Sequence, residues 1–339
     1  IERRLENIVI IFEAKEIYNF KKKNNKKRCV GCSKMFPNRL KNSVPKKPVP
    51  TDFKGLFASV FTSFKGDEQQ TLQLSCIDDY ALWLKEHHIK GVLVNSTTGE
   101  GPALGLIERK VNAEAWSRAC KKYSLMMLLQ IGGAPLPDVL DLAQHANELP
   151  IHAVVCISEL FYIPTKMEHL VGYCKIVAEK CANHLFLYYH LPQLSNLKFD
   201  PEEFFNSAEK VIPTFTGLVC TQTEYLAAIK CATAKRVIVI GDSKMLASCM
   251  LMGYESAIMT VANMEPTLMH EIYDAMMRND LKTAKAKQSY LNQLIRNRIT
   301  KGKSSWISDM KNWFNEKMVS EVGCDVNVGK PRKFGIYEL

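Results

Sequence analysis

Several short stretches of this 339-residue chain put groups that can bind anions or move protons at the ends of apolar runs. Asn95-Ser96-Thr97-Thr98-Gly99-Glu100-Gly101 offers two adjacent threonine hydroxyls in a glycine turn. Hydroxyls and backbone amides at such a turn can hold a carboxylate, as the starts of helices hold anions. The same residues could equally form a helix N-cap with Glu100 in the first turn. Tyr188-Tyr189-His190-Leu191-Pro192 presents a phenol that could shuttle a proton or lie buried with its hydroxyl tied off, and His190 reads as a structural neighbour rather than a base. Gly217-Leu218-Val219-Cys220-Thr221 ends in a thiol and a hydroxyl, and Gly241-Asp242-Ser243-Lys244 adds a hydroxyl and an amine. An apolar surrounding could lower the pKa of the Lys244 amine toward neutrality and make it a nucleophile. Met259-Thr260 supplies one further hydroxyl.

These groups need a scaffold that gathers strand ends, and the rest of the pattern provides one. Apolar runs at 55–64, 91–96, 125–133, 152–158, 185–192, 215–221, 236–242 and 256–263 are almost continuously hydrophobic, as strands buried on both faces are. Between them, 77–88, 106–121, 135–147, 167–180, 200–210, 222–232 and 245–251 carry apolar residues at helical spacing. Eight strands alternating with helices predict an α/β fold, a (β/α)8 TIM barrel, whose sites lie at the C-terminal ends of the strands. Residues 266–277, 281–298 and 306–317 predict a C-terminal helical extension. The expected division is a basic N-terminal arm over 1–50, the barrel over 51–265 and the extension over 266–339.

The net charge of +10 is confined to the arm. The first 50 residues hold 14 of the 45 Lys/Arg and 4 of the 35 Asp/Glu, which leaves 31 of each sign for the body. The lysine cluster 21–28 and the Pro-rich exit 45–50 read as a solvated, disordered extension rather than a nucleic-acid contact. Cys29 and Cys32 form a Cys-x-x-Cys with no second pair within finger distance, so no zinc site is expected. Residues 8–12 are too short an apolar run for a signal peptide, and no run of 18 uncharged apolar residues suggests a membrane span. The eleven cysteines sit singly, most inside apolar segments, the pattern of buried free thiols in a reducing compartment. A cytoplasmic protein is expected.

The run 95–101 with Glu108-Arg109 after it, and Leu187-Tyr188-Tyr189-His190-Leu191-Pro192 with Leu194, together resemble the N-acetylneuraminate lyase and dihydrodipicolinate synthase superfamily, most of all the animal N-acetylneuraminate lyases. The resemblance spans residues 53–335 and includes the Gly-x-Pro-Arg tail ending at Arg332. It implies a class I aldolase that cleaves open-chain sialic acid to pyruvate and N-acetylmannosamine, with no metal or other cofactor. A sixth-strand lysine forms a Schiff base with the ketone and gives the breaking carbon–carbon bond an electron sink. By motif match, Thr97 and Thr98 would bind the pyruvate carboxylate, Tyr189 would transfer the proton, and Thr221 and Gly241 would line the sugar end, while Ser243, Lys244 and Thr260 at the same mouth are further candidates for binding substrate. The implied partners are a small keto acid or sialic acid and three further copies in a homotetramer.

The sequence departs from that pattern where the chemistry is most demanding. The family's Gly-Leu-Lys-x-(Ser/Thr) reads Gly217-Leu218-Val219-Cys220-Thr221, so the lysine position holds a side chain that cannot form an imine. The acidic pair that receives sugar hydroxyls is replaced by Ser243-Lys244, and the Gly-Ser step of the eighth strand by Met259-Thr260. Met259 is expected to crowd the mouth, Val219 to fill the barrel, and Lys244 to be the nearby candidate for a substitute amine. Either a catalytically impaired lyase-type protein or a non-catalytic relative that binds a keto acid or sialic acid, or partners an active paralogue, fits these residues.

Overall fold

The computed structural model describes residues 52–221, 224–232, 236–299, 305–321 and 326–332. The basic arm with Cys29 and Cys32 lies outside the described residues. Each apolar run becomes a strand of four to six residues: Gly55–Ser59 (β1), Gly91–Val94 (β2), Met126–Gln130 (β3), Ala153–Ile157 (β4), Leu185–His190 (β5), Phe215–Cys220 (β6), Val237–Ile240 (β7) and Ser256–Met259 (β8). They pair in parallel and in sequence order, and β8 closes on β1 with Gly55 opposite Ser256. The crossovers carry the helices Ile77–Glu86 (α1), Leu106–Tyr123 (α2), Leu136–Ala146 (α3), Met167–Lys180 (α4), Pro192–Ser195 (α5), Pro201–Val211 (α6), Glu224–Ala228 (α7) and Leu246–Leu251 (α8). The chain is the expected (β/α)8 barrel.

Two-residue alternation along the strands explains why the runs had to be apolar throughout. One set of side chains, with Phe57, Leu128, Leu187, Val219 and Ile258 among them, meets in a cluster inside the barrel. The alternate set, including Leu218, Cys220 and Met259, joins Trp116 and Phe204 of the surrounding helices in a second, larger cluster. Met259 therefore points away from the mouth, and the expected crowding there does not occur. On β8 it is Ala257 and Met259 that reach the helix layer while Ile258 faces inward, a phase that the comparison of residue sizes left out.

Glycine is required in β6. A Cβ on Gly217 would stand 1.9 Å from the Val237 carbonyl oxygen, so only a bare backbone lets β6 and β7 pair here. The pairing of β5 with β6 also skips Thr216, since Phe186 faces Phe215 and Leu187 faces Gly217. This irregularity sets the phase that turns Val219 inward.

The cysteines fit the expectation of buried free thiols: all eight described ones, Cys76 included, are free and buried. Among the described residues, no helix is long and apolar enough to cross a membrane. The expected helix 222–232 is shorter, with α7 giving way to a 3-10 turn over Ile229–Cys231, a common tightening at helix ends.

Beyond β8 lie Pro266–Met277 (α9), Leu281–Arg298 (α10) and Trp306–Glu321 (α11). A buried ion pair ties this extension to the barrel. The Lys311 ammonium on α11 is 2.5 Å from a Glu100 carboxylate oxygen, and both side chains are essentially inaccessible to water. Lys311 also donates to the Thr62 carbonyl at 2.8 Å and stands over the Phe64 ring. The other Glu100 oxygen accepts the Arg332 backbone N–H at 2.7 Å, and the Arg332 guanidinium grips both oxygens of Glu108 at 2.6 and 2.7 Å. Thus the Gly-x-Pro-Arg tail closes the network through Arg332, and Glu108 serves as its anchor.

Removing one partner of a buried pair leaves the other charge desolvated. Lys311→Met should lower the free energy of unfolding by about 3–5 kcal/mol, read from urea melts. Arg298→Ala, which breaks the exposed pair with Glu316, should cost less than about 1 kcal/mol. Equal effects would contradict the central role of the buried pair.

Candidate functional site

The turn after β2 is shaped by two left-handed residues, Asn95 at φ +59° and Glu100 at φ +52°. Asn tolerates that conformation and Glu does so at a cost, which the buried ion pair of Glu100 offsets. The Gly101 N–H donates to the Ser96 carbonyl at 3.0 Å, and a Cβ on Gly101 would stand 2.0 Å from the Asn95 oxygen. Glu100 precedes a short 3-10 turn over Gly101–Ala103 but makes no side-chain cap. The alternative of a capped helix start with Glu100 in its first turn is therefore not what forms. The turn is pinned from outside as well, because the Asn95 amide donates to the Arg109 carbonyl and Asn112 donates to Asn95.

This arrangement aims Thr97 and Thr98 across the barrel mouth. The Thr97 hydroxyl lies 3.2 Å from the Tyr189 hydroxyl at the end of β5, and the Thr98 hydroxyl lies 2.7 Å from that of Thr260 just past β8. Burial pushes the Tyr189 phenol above its ordinary range, while its hydrogen bond with Thr97 pulls it partly back. At neutral pH Tyr189 is a protonated donor. Thr221, after β6, donates to the Gln193 amide oxygen at 3.4 Å. A cavity of about 400 Å³ is lined by Thr97, Thr98, Tyr189, Thr221, Gly241, Ser243, Lys244 and Thr260, among others. Eight of the nine residues singled out from sequence thus surround one space.

The ninth, Val219, does not line it. Val219 is 1% exposed and packs in the apolar interior, register partner of Tyr189 on one side and Val239 on the other. Cys220 faces the helix layer, fully buried, and burial pushes its thiol well above the ordinary range. It is no nucleophile for this cavity. Lys244 does line the cavity, from a 3-10 turn over Ser243–Met245 in which the Asp242 carboxylate accepts the Lys244 N–H. Its side chain is exposed to solvent, not enclosed in the apolar surroundings that turn a lysine amine into a nucleophile. Its backbone oxygen accepts from Asn292 at 3.2 Å, and that of Ser243 from Gln288 at 3.0 Å, so α10 holds this loop.

Other contributors were not among the candidate site residues. Asn263, fully buried, donates to the Ser59 and Thr260 carbonyls at 2.7 Å and accepts from the Tyr80 hydroxyl at 2.7 Å, which fixes Thr260 beside β1. Arg109 donates to the Gln130 and Gly132 carbonyls at the end of β3, and burial lowers its pKa to about 10. The extension contributes Ile295, Ile299, Trp306 and Met310 to the cavity wall. None of these four belongs to a strand end, where site residues were sought.

A closed parallel barrel with a hydroxyl-lined mouth and residues of a C-terminal extension in the cavity wall defines a (β/α)8 protein with a candidate site at its strand ends, and comparison with known proteins gives its family. Residues 52–315 match the dihydrodipicolinate synthetase family, and the chain belongs to it. The N-acetylneuraminate lyases of Pongo abelii and Homo sapiens are each 30% identical over 245 residues, which are 71% of this chain and 75% of each relative. Among solved structures, the N-acetylneuraminate lyase of Proteus mirabilis superposes with a TM-score of 0.75 at 27% identity, covering 84% of this chain and 92% of that one.

His190 behaves as the structural neighbour expected. Its Nε2 lies 3.1 Å from Glu224, tying the end of β5 to α7. Burial holds it below the ordinary value of 6.5, with Glu224 partly offsetting, and burial does the same for His152, His184 and His270. Folded, these groups stay neutral at a pH where the unfolded chain already takes up protons. The stability they contribute is complete above pH 6.5 and is lost as pH falls through that value, at most about 1.4 kcal/mol per pH unit for each group. Urea midpoints should be level from pH 8 to 7 and drop toward pH 5, and the drop should be shallower in His190→Gln. A rise in midpoint on acidification would contradict the assignment.

Proposed function

We propose that this chain is a lyase-type barrel that has lost imine chemistry and binds a keto acid at its mouth without cleaving a carbon–carbon bond. The observation that carries this reading is Val219. By motif match it occupies the position of the Schiff-base lysine, and it lies buried in β6 beside Tyr189. An iminium forms only from an amine and a ketone, so this position supplies no electron sink. Among the described residues the buried lysine is Lys311, whose charge is engaged by Glu100. Lys244 is the lysine lining the cavity, and it is solvent-exposed at the rim. A Lys244 imine is the fallback reading for any residual activity.

What remains of the site supports ligand binding. Thr97 and Thr98 are the proposed carboxylate site and Tyr189 the proposed donor to the keto or carboxylate oxygen. Thr221, Gly241, Ser243, Lys244 and Thr260 are the proposed surround of the rest of the ligand. We place the protein in the cytoplasm, on the free buried thiols, and assign residues 51–265 to the barrel and 266–339 to the extension.

We further propose a homotetramer. The loop after β4 exposes Phe161 at 86% and Tyr162 at 76%, stacked edge to face, a patch that a second copy would cover. Light scattering should give four times the 38.5 kDa chain mass for the wild type and a smaller particle for the Phe161→Asp, Tyr162→Asp double variant. A monomeric wild type would remove this part of the proposal.

A coupled assay for pyruvate release from N-acetylneuraminate tests the main reading. Wild type should give no turnover above the uncatalysed background, and Val219→Lys should give measurable release. Substantial wild-type turnover would show that an amine elsewhere does the chemistry.

A further inference from the structure

We infer that the cavity selects a 2-oxo acid bearing an apolar side chain over a polyhydroxylated one. This rests on the proposal that the hydroxyl floor receives a keto-acid carboxylate, and it concerns what lies beyond that carboxylate. The two sides of the cavity differ in chemistry. Its floor is hydroxyl: Thr97 with Tyr189, and Thr98 with Thr260. Its outer wall is apolar, built from Leu191 and Leu194 after β5 and from Ile295, Ile299, Trp306 and Met310 of the extension.

A sugar chain entering this space would need a partner for each hydroxyl it buries, since an unpartnered buried hydroxyl is costly. The wall supplies only the Trp306 indole N–H. On the remaining side some polar groups are already engaged: Thr221 donates to the Gln193 amide oxygen, one Asp242 oxygen caps the Lys244 N–H at 2.9 Å, and the Ser243 carbonyl accepts from Gln288 of α10. That leaves the Ser243 hydroxyl, the Lys244 ammonium, the second Asp242 oxygen and the Gln193 amide N–H to receive a polyol, all on this one side of the cavity. Lys244 at the rim adds attraction for an anion of any kind.

The wall also has unsatisfied apolar area. Leu194 is 57% exposed and Trp306 45% exposed, both large side chains facing the same cavity. A branched or aromatic side chain on the ligand would cover them, and in a pocket of about 400 Å³ it would do so while the carboxylate sits on the floor. Leu194 and Trp306 are therefore the specificity-determining residues for the ligand's side chain.

Isothermal titration of the full chain with the sodium salts of pyruvate, 4-methyl-2-oxopentanoate and N-acetylneuraminate tests this. The branched oxo acid should bind at least about tenfold more tightly than pyruvate, the discrimination that added methylenes earn in an apolar pocket. N-acetylneuraminate should bind more weakly than the branched acid. Trp306→Ala and, independently, Leu194→Ala should shrink the branched-to-pyruvate ratio to within about threefold; both side chains are about half exposed, so circular dichroism should show intact folds. Equal affinity of the two oxo acids in wild type, or tightest binding of N-acetylneuraminate, overturns this inference while leaving keto-acid binding in place. Absence of binding by either oxo acid overturns both this inference and the carboxylate reading beneath it.

Discussion

The pairing of Glu100 with Lys311 is the constraint on which the mouth of the barrel depends. Two charges removed from water are costly unless each meets the other in good geometry with its remaining hydrogen bonds filled. Here Thr62, the Arg332 backbone and the Phe64 ring complete the set. The pair offsets the cost of the left-handed Glu100, whose turn presents Thr97 and Thr98. It also fixes α11, and with it Trp306 and Met310, over the opening. One buried interaction thus positions both the polar floor and the apolar wall.

Around β6 a different constraint operates. The bare backbone of Gly217 permits close pairing with β7, and the irregular register with β5 sets which residues face inward. Val219 is turned inward by that geometry and fits the apolar interior, whereas a lysine there would need its charge held near Tyr189 and the hydroxyls. The strand is still built to deliver a side chain at 219, and what it delivers is inert. Our account of function rests on the proposal that 219 is the position of the family's lysine.

Much of this was legible in the chain. Apolar runs interrupted by amphipathic stretches define a barrel because every strand is buried twice, and strand ends in a barrel converge, so Thr97, Tyr189, Thr221, Ser243 and Thr260 could be gathered without coordinates. Three features were not legible, each for a physical reason. Met259 seemed to crowd the mouth because size was compared without the two-residue phase that sends it outward. Lys311 looks like any lysine on an amphipathic helix, since only tertiary packing reveals that its charge is buried against Glu100. The apolar wall comes from Ile295, Ile299, Trp306 and Met310, more than thirty residues past β8, and no local pattern says that a helix will fold back over a strand end.

The account stands or falls on whether this barrel can form an imine. Incubating the wild type and Val219→Lys with pyruvate and sodium borohydride, then measuring intact masses and mapping peptides, reads that directly. The wild type should remain unmodified, at Lys244 as elsewhere, while the variant should gain one reduced pyruvate adduct at position 219. A reduced adduct on the wild-type chain would contradict the account, and its position would identify the amine that does the work.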